Sequence, residues 1–162
     1  MKLRLQLILY FLLASPLAGQ VLTDSNLPIV IITTDGGADI VDDPKVKATM
    51  KIVDRGPGQR NYVADQGNPL YLNYNGRIGI ELRGSSSQES PKKNYGLTTR
   101  LADDVTNNNV SLLGMPEEND WILGGMVFDT SFVRDYFRQH LSREMGNYAS
   151  RAVYCEVIIN ND

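Results

Sequence analysis

A repeated two-residue alternation of apolar and polar side chains leaves this chain little choice but a sheet. Val46, Ala48, Met50 and Ile52 alternate with Lys47, Thr49 and Lys51, and Ile78, Ile80 and Leu82 alternate with Gly79, Glu81 and Arg83. Side chains on a strand point to opposite faces with period 2, so each segment predicts a half-buried strand; the basic face of the first is expected to be solvated. The β-branched run at 27–34 (LPIVIITT), stopped by Gly36-Gly37, predicts an earlier strand. Residues 54–76 read as loop or hairpin with a short strand at 71–74, 120–127 (DWILGGMV) reads as an apolar segment with Trp121 in the core, and further strands are expected at 94–100 and 152–159. The last of these runs into Asn160-Asn161-Asp162, a hairpin turn signal with no second strand behind it. One helix is expected. Asp129-Thr130-Ser131 offers N-cap chemistry, and Phe132, Val133, Tyr136, Phe137, Leu141 and Met145 recur at spacings of three and four up to Gly146. Its other face, with Arg134, Asp135, Arg138, Arg143 and Glu144, suits a solvated surface with local ion pairs. The fold class is therefore α+β, a mainly antiparallel β lobe with one amphipathic helix.

Composition and the first residues bound the function. The chain has 162 residues, 42% hydrophobic and 22% charged, which suits one globular domain and excludes collagen-like, coiled-coil and disordered chains. Met1-Lys2-Leu3-Arg4 is a basic head before the apolar run Leu5 to Leu13, with small residues at Ala14, Ser15, Ala18 and Gly19. That pattern predicts a secretory signal peptide over residues 1–19, hence an exported protein, secreted or held at the cell surface. The run is shorter than the roughly 20 residues of a membrane span, so no stable span is expected after cleavage; a retained anchor is the competing reading. Residues 20–27 read as a polar leader and 28–162 as the folded part. Losing Lys2 and Arg4 from 16 basic groups against 19 acidic ones changes the formal charge from -3 to -5, which argues against nucleic acid as a partner.

Few residues offer chemistry. The one cysteine, Cys155, has no internal disulfide partner; alternation puts it with Val153, Val157 and Ile159, so it reads as a small core hydrophobe, with a reactive thiol as the alternative. His140 has no second histidine near it, which argues against zinc and against a Ser-His-Asp triad. Asp35, Asp39, Asp42 and Asp43 lack the spacing of a calcium loop and read as solvated loop. Asn109-Val110-Ser111 matches a glycosylation acceptor and marks a surface loop. The candidate site is Arg83-Gly84-Ser85-Ser86-Ser87 leading to Pro91-Lys92-Lys93. A glycine-started, hydroxyl-rich turn supplies donors and the lysines supply charge, the ingredients of an anion cradle. A plain solvated connection is the rival reading.

Six segments in order resemble the CotH kinase family (spore coat protein H): LPIVIITTDGG at 27–37, IVDDPKVKATMKIV at 40–53, IGIELRGSSSQESPKKNYGL at 78–97, LLGMPEENDWILGG at 112–125, DTSFVRDYFRQHLSREMG at 129–146 and AVYCEVIINND at 152–162. The resemblance implies the N-terminal part of an atypical protein-kinase-like fold, binding ATP with Mg²⁺ and passing the γ-phosphoryl group to Ser or Thr of a protein substrate. It puts Arg83, Ser85, Ser86, Ser87, Lys92 and Lys93 on the nucleotide side and makes Glu144 a lysine partner. Asp129 and Arg134 match family positions. The family's catalytic and magnesium-binding aspartates follow the equivalent of Asn160, so residues 1–162 are expected to hold no catalytic residue or metal ligand, to be inactive alone and to bind nucleotide weakly. A non-catalytic secreted or surface module, binding a surface or matrix protein, is the alternative.

Overall fold

The computed structural model of the chain describes residues 21–161. The predicted signal peptide lies outside the described residues. In chain order come β1 (Asp24–Ser25), β2 (Ile29–Thr34), β3 (Val46–Val53), β4 (Asn61–Tyr62), β5 (Leu72–Arg83), β6 (Asn94–Arg100), β7 (Asp120–Leu123), α1 (Arg134–Glu144) and β8 (Glu156–Ile159). β1 and β4 pair as a small ribbon, and the other strands form one sheet in the order β7-β6-β5-β3-β2-β8. Every pairing in that sheet is antiparallel except β2 with β8. The architecture is α+β, as the pattern of one helix among alternating segments implied.

Register turns the alternation into a core. Val30 and Ile32 stand opposite Ile52 and Met50, Ala48 opposite Ile78, and Ile80 opposite both Val46 and Leu97. These rows lie on one face and close into a cluster with Leu112; Ile32, Ala48, Ile78 and Ile80 are wholly buried. Each fully buried side chain of this size contributes roughly 1.5–3 kcal/mol. A one-residue slip of any strand would turn its apolar set outward, which holds the register. The other face carries a smaller cluster of Ile29, Ile31 and Val53, covered by Leu22, Val63, Tyr71, Leu72 and Ile158.

Several expectations are revised. The predicted strands at 71–74 and 78–82 are one twelve-residue strand, β5, because Asn75 and Gly76 pair with Lys51 and Met50 instead of turning. The predicted leader contains β1, which pairs with β4. The basic face of β3 is engaged: Lys47 lies 3.8 Å from Asp104, and Lys51 donates to the Gln66 carbonyl at 3.0 Å. Trp121 is only partly buried at the rim of the core, because β7 is an edge strand. The last strand is shorter than predicted and adds parallel to β2, so its apolar side chains find a neighbour without a hairpin. The helix begins at Arg134, and its apolar face stands open: Phe137 is 61% exposed and Met145 71%.

Candidate functional site

The serine loop starts where β5 ends. Gly84 has φ +107, and a Cβ there would lie 2.0 Å from Ser87 Oγ, so the turn needs glycine. A short 3-10 turn at Ser86–Glu89 follows, with Gln88 N donating to Ser85 O at 3.1 Å and Ser90 N to Ser87 O at 3.2 Å. The Gln88 side-chain amide ties the loop down: its Nε2 donates to Gly84 O at 2.7 Å and to Asp42 Oδ1 at 2.8 Å. Lys93 Nζ donates to the Gln88 carbonyl at 2.6 Å. Arg83, Ser85 and Ser86 are exposed, Ser87 is half-buried, and the buried Ser90 hydroxyl has no hydrogen-bond partner. The loop's return is pinned at Gly125, whose N–H donates to Asn94 Oδ1 at 2.7 Å. A Cβ on Gly125 would come within 2.6 Å of the Lys93 carbonyl, so no larger residue fits that approach.

Beside the loop lies a cleft of about 350 Å³, lined by Asp39, Ile40, Leu82, Lys93, Tyr95, Ile159 and Asn160. Three separate segments build it. The 39–43 stretch is held to β5 by Leu82 N donating to Val41 O at 2.8 Å and to the loop by Gln88. The end of β8 is pinned by Asn160: its backbone N–H donates to Ile32 O at 2.9 Å, and its Oδ1 accepts from Thr34 N at 2.9 Å. Burial pushes the Tyr95 phenol above its ordinary pKa, so it stays neutral and protonated. The Lys93 ammonium, the Asp39 carboxylate, the Tyr95 phenol and apolar side chains line the cleft together, so an anionic group would be drawn to the Lys93 side. The volume is near the low end for small-molecule sites. Among the described residues, no group of three or more His, Cys, Asp or Glu is gathered as a metal site.

A second cleft, about 360 Å³, includes Lys45, Glu81, Arg83, Asp120 and Trp121. Lys45 Nζ lies 3.6 Å from Glu81 and 3.8 Å from Asp120 and donates to Thr98 Oγ1, while Thr98 donates to Asp120 at 2.8 Å. Its acids already engage Lys45, while the Arg83 guanidinium makes no ion pair among the described residues. Sequence reasoning missed this cluster; the signal was that alternation sets Glu81 and Arg83 on the face opposite the core.

The candidate residues therefore divide. Lys93 lines the first cleft and its ammonium is held by the serine loop, Ser85, Ser86 and Ser87 are not in that lining, and Arg83 lines the second cleft. The Lys92 ammonium sits 5.4 Å from the Phe132 ring centre, a cation–π contact. Glu144 is exposed in the last turn of α1, and no ion pair joins it to Lys92 or Lys93 among the described residues. Asp129 Oδ2 accepts from Arg134 N at 2.9 Å, and its other oxygen lies 3.6 Å from Arg134 Nε. It thus caps the start of α1 and forms an ion pair there. Burial pushes the Cys155 thiol up to about 11, and the side chain packs on the main cluster, as a core residue should. Asp35 is not free loop: Arg77 donates to both its oxygens, at 2.9 and 2.6 Å. Gln88 and Tyr95 were not singled out by the sequence, and Asp39, read as solvated loop, and Asn160, read as a turn residue, instead line this cleft, because only folding gathers them.

The sheet, the helix and the glycine-led serine loop define an α+β protein with a cation beside an apolar-walled cleft. The family model described as CotH kinase protein matches residues 80–162, half of the chain, and this chain belongs to that family. No curated protein and no solved structure matches it. Among the described residues, no helix is long and apolar enough to cross a membrane.

Proposed function

We propose that this is an exported CotH-family protein whose serine loop and adjoining cleft form the phosphate side of an ATP site. In its complete form the domain transfers the γ-phosphoryl group to Ser or Thr hydroxyls of a protein partner, as an atypical protein kinase. The observation that carries this reading is the position of Lys93, a residue of the family-matched region that is held by the serine loop and lines a largely apolar cleft. Bound ATP would supply the transferable phosphoryl group. Lys93 would hold the phosphates, and the hydroxyls of Ser85, Ser86 and Ser87 would donate to their oxygens. Lys92 and Arg83 would add positive potential from the flanks. Leu82, Ile40, Ile159 and Tyr95 would exclude water from the base. A phosphate oxygen competes well for Lys93, because a charged acceptor binds an ammonium more strongly than the Gln88 carbonyl does. Glu144 stays a proposed lysine partner, reachable only if α1 and the loop approach each other.

Titration of the ¹⁵N-labelled chain with ATP tests this. The amides of Ser85, Ser86, Ser87 and Lys93 are expected to shift, with millimolar affinity, about 4 kcal/mol. Lys92→Ala/Lys93→Ala is expected to abolish the response. A wild-type spectrum indifferent to ATP would overturn the reading.

A further inference from the structure

Gln88 occupies an unusual place in the loop. Its side-chain amide spans two partners, the Gly84 carbonyl at the loop's start and the exposed Asp42 carboxylate in the 39–43 stretch beside the cleft. Its backbone carbonyl receives the Lys93 ammonium. One residue therefore links the loop's beginning, the 39–43 wall and the lysine. The contact with Asp42 joins residues 46 positions apart, so it is the tertiary bond that fixes where the loop hangs. Nothing else among the described side-chain bonds of Asp42 or Gln88 competes with this arrangement.

We infer that Gln88 is a positioning residue: by clamping the serine loop to Asp42 it holds Lys93 at the mouth of the cleft, aimed at the phosphates of a nucleotide. This rests on the nucleotide reading above and adds what that reading lacks, the device that sets the cradle's geometry. Besides the loop, the clamp reaches only the 39–43 stretch, and that stretch is held to β5 independently by the Leu82 N–H donating to Val41 O. The apolar walls of the cleft belong to β5, β6, β8 and Ile40, whose backbone bonds do not run through Gln88. Loss of the clamp should therefore weaken ATP and leave adenosine untouched, a division that general unfolding could not produce. An amide at 88 donates to a carboxylate at 42; a carboxylate there would repel it, and a cation at 42 would restore attraction.

The test compares ATP and adenosine by ¹⁵N titration of the whole chain, with amide exchange of Gln88 and Ser90 followed in the absence of nucleotide. For Gln88→Ala and Gln88→Glu, ATP affinity should fall about tenfold, adenosine affinity should hold, and both amides should exchange faster than in the wild type. Gln88→Glu combined with Asp42→Lys should recover most of the ATP affinity. If the wild type binds ATP and the Gln88 variants bind it equally, or lose adenosine in the same proportion, the clamp is refuted while the nucleotide reading stands. If the wild type binds neither ligand, both fall.

Discussion

The strands β2, β3 and β5 and the helix α1 are all rich in apolar side chains, yet they finish in opposite surroundings. Ile32 and Ile78 are fully buried and Met50 is 1% exposed, whereas Phe137, Leu141 and Met145 are 61%, 46% and 71% exposed. The strands supply each other's cover, because register sets each apolar row beside the next. A helix stripe has no such built-in partner and stays open unless another surface meets it. What holds α1 is polar and aromatic: the Asp129 cap, the Tyr154 hydroxyl donating to Phe132 O at 2.6 Å, and the Tyr136 and Tyr154 rings 5.3 Å apart. Apolar content alone thus says little about stability; geometry decides what it contributes.

The contrast can be broken at either end. Ile78→Ala leaves a cavity at the centre of the sheet and should cost about 2–5 kcal/mol in urea unfolding; a loss below about 1 kcal/mol would show that the core is not where the stability lies. Asn160→Ala strips the partner from the Thr34 N–H at the β2–β8 junction and should cost about 1–3 kcal/mol, with faster amide exchange in β8 than in β3. Acid should release α1 through its cap. The Ser131 hydroxyl first, and then the Arg134 N–H, hold the Asp129 carboxylate below its ordinary value of 3.8. A lowered folded-state pKa stabilises at pH above that value and is lost as pH falls through the folded-state one. Helical circular dichroism should therefore decline below about pH 4, and Asp129→Asn should remove that acid dependence. Phe137→Ala should change stability by no more than about 0.5 kcal/mol, and a cost above about 2 kcal/mol would mean that the helix face is covered after all.

Much of the sheet was legible because strand periodicity is local. Val46, Ala48, Met50 and Ile52 declare one face without reference to any other segment, and Gly84 followed by serines announces a turn. The failures have physical causes. Asn75-Gly76 looks like a hairpin turn, but pairing with Met50 and Lys51 overrides that preference and makes β5 continuous. Phe132 and Tyr136 show that a helix face is apolar, and nothing in their spacing says whether anything covers it. Of the candidate site, the serines and Lys93 were visible as a motif. Asp42, read as solvated loop, gave no sign of its bond to Gln88, since a hydrogen bond across 46 residues leaves no trace in either neighbourhood.

The order of residues settled which side chains share a strand face, where the glycine-led loop falls and which stripe of the helix is apolar, because these depend on neighbours a few bonds away. Folding in three dimensions decided that β8 joins β2 in parallel, that Asp39, Lys93 and Asn160 meet around one cleft, and that Lys45 is spent on Glu81 and Asp120. Those outcomes turn on register and on strand order across the whole sheet, where the free energy of one pairing depends on all the others.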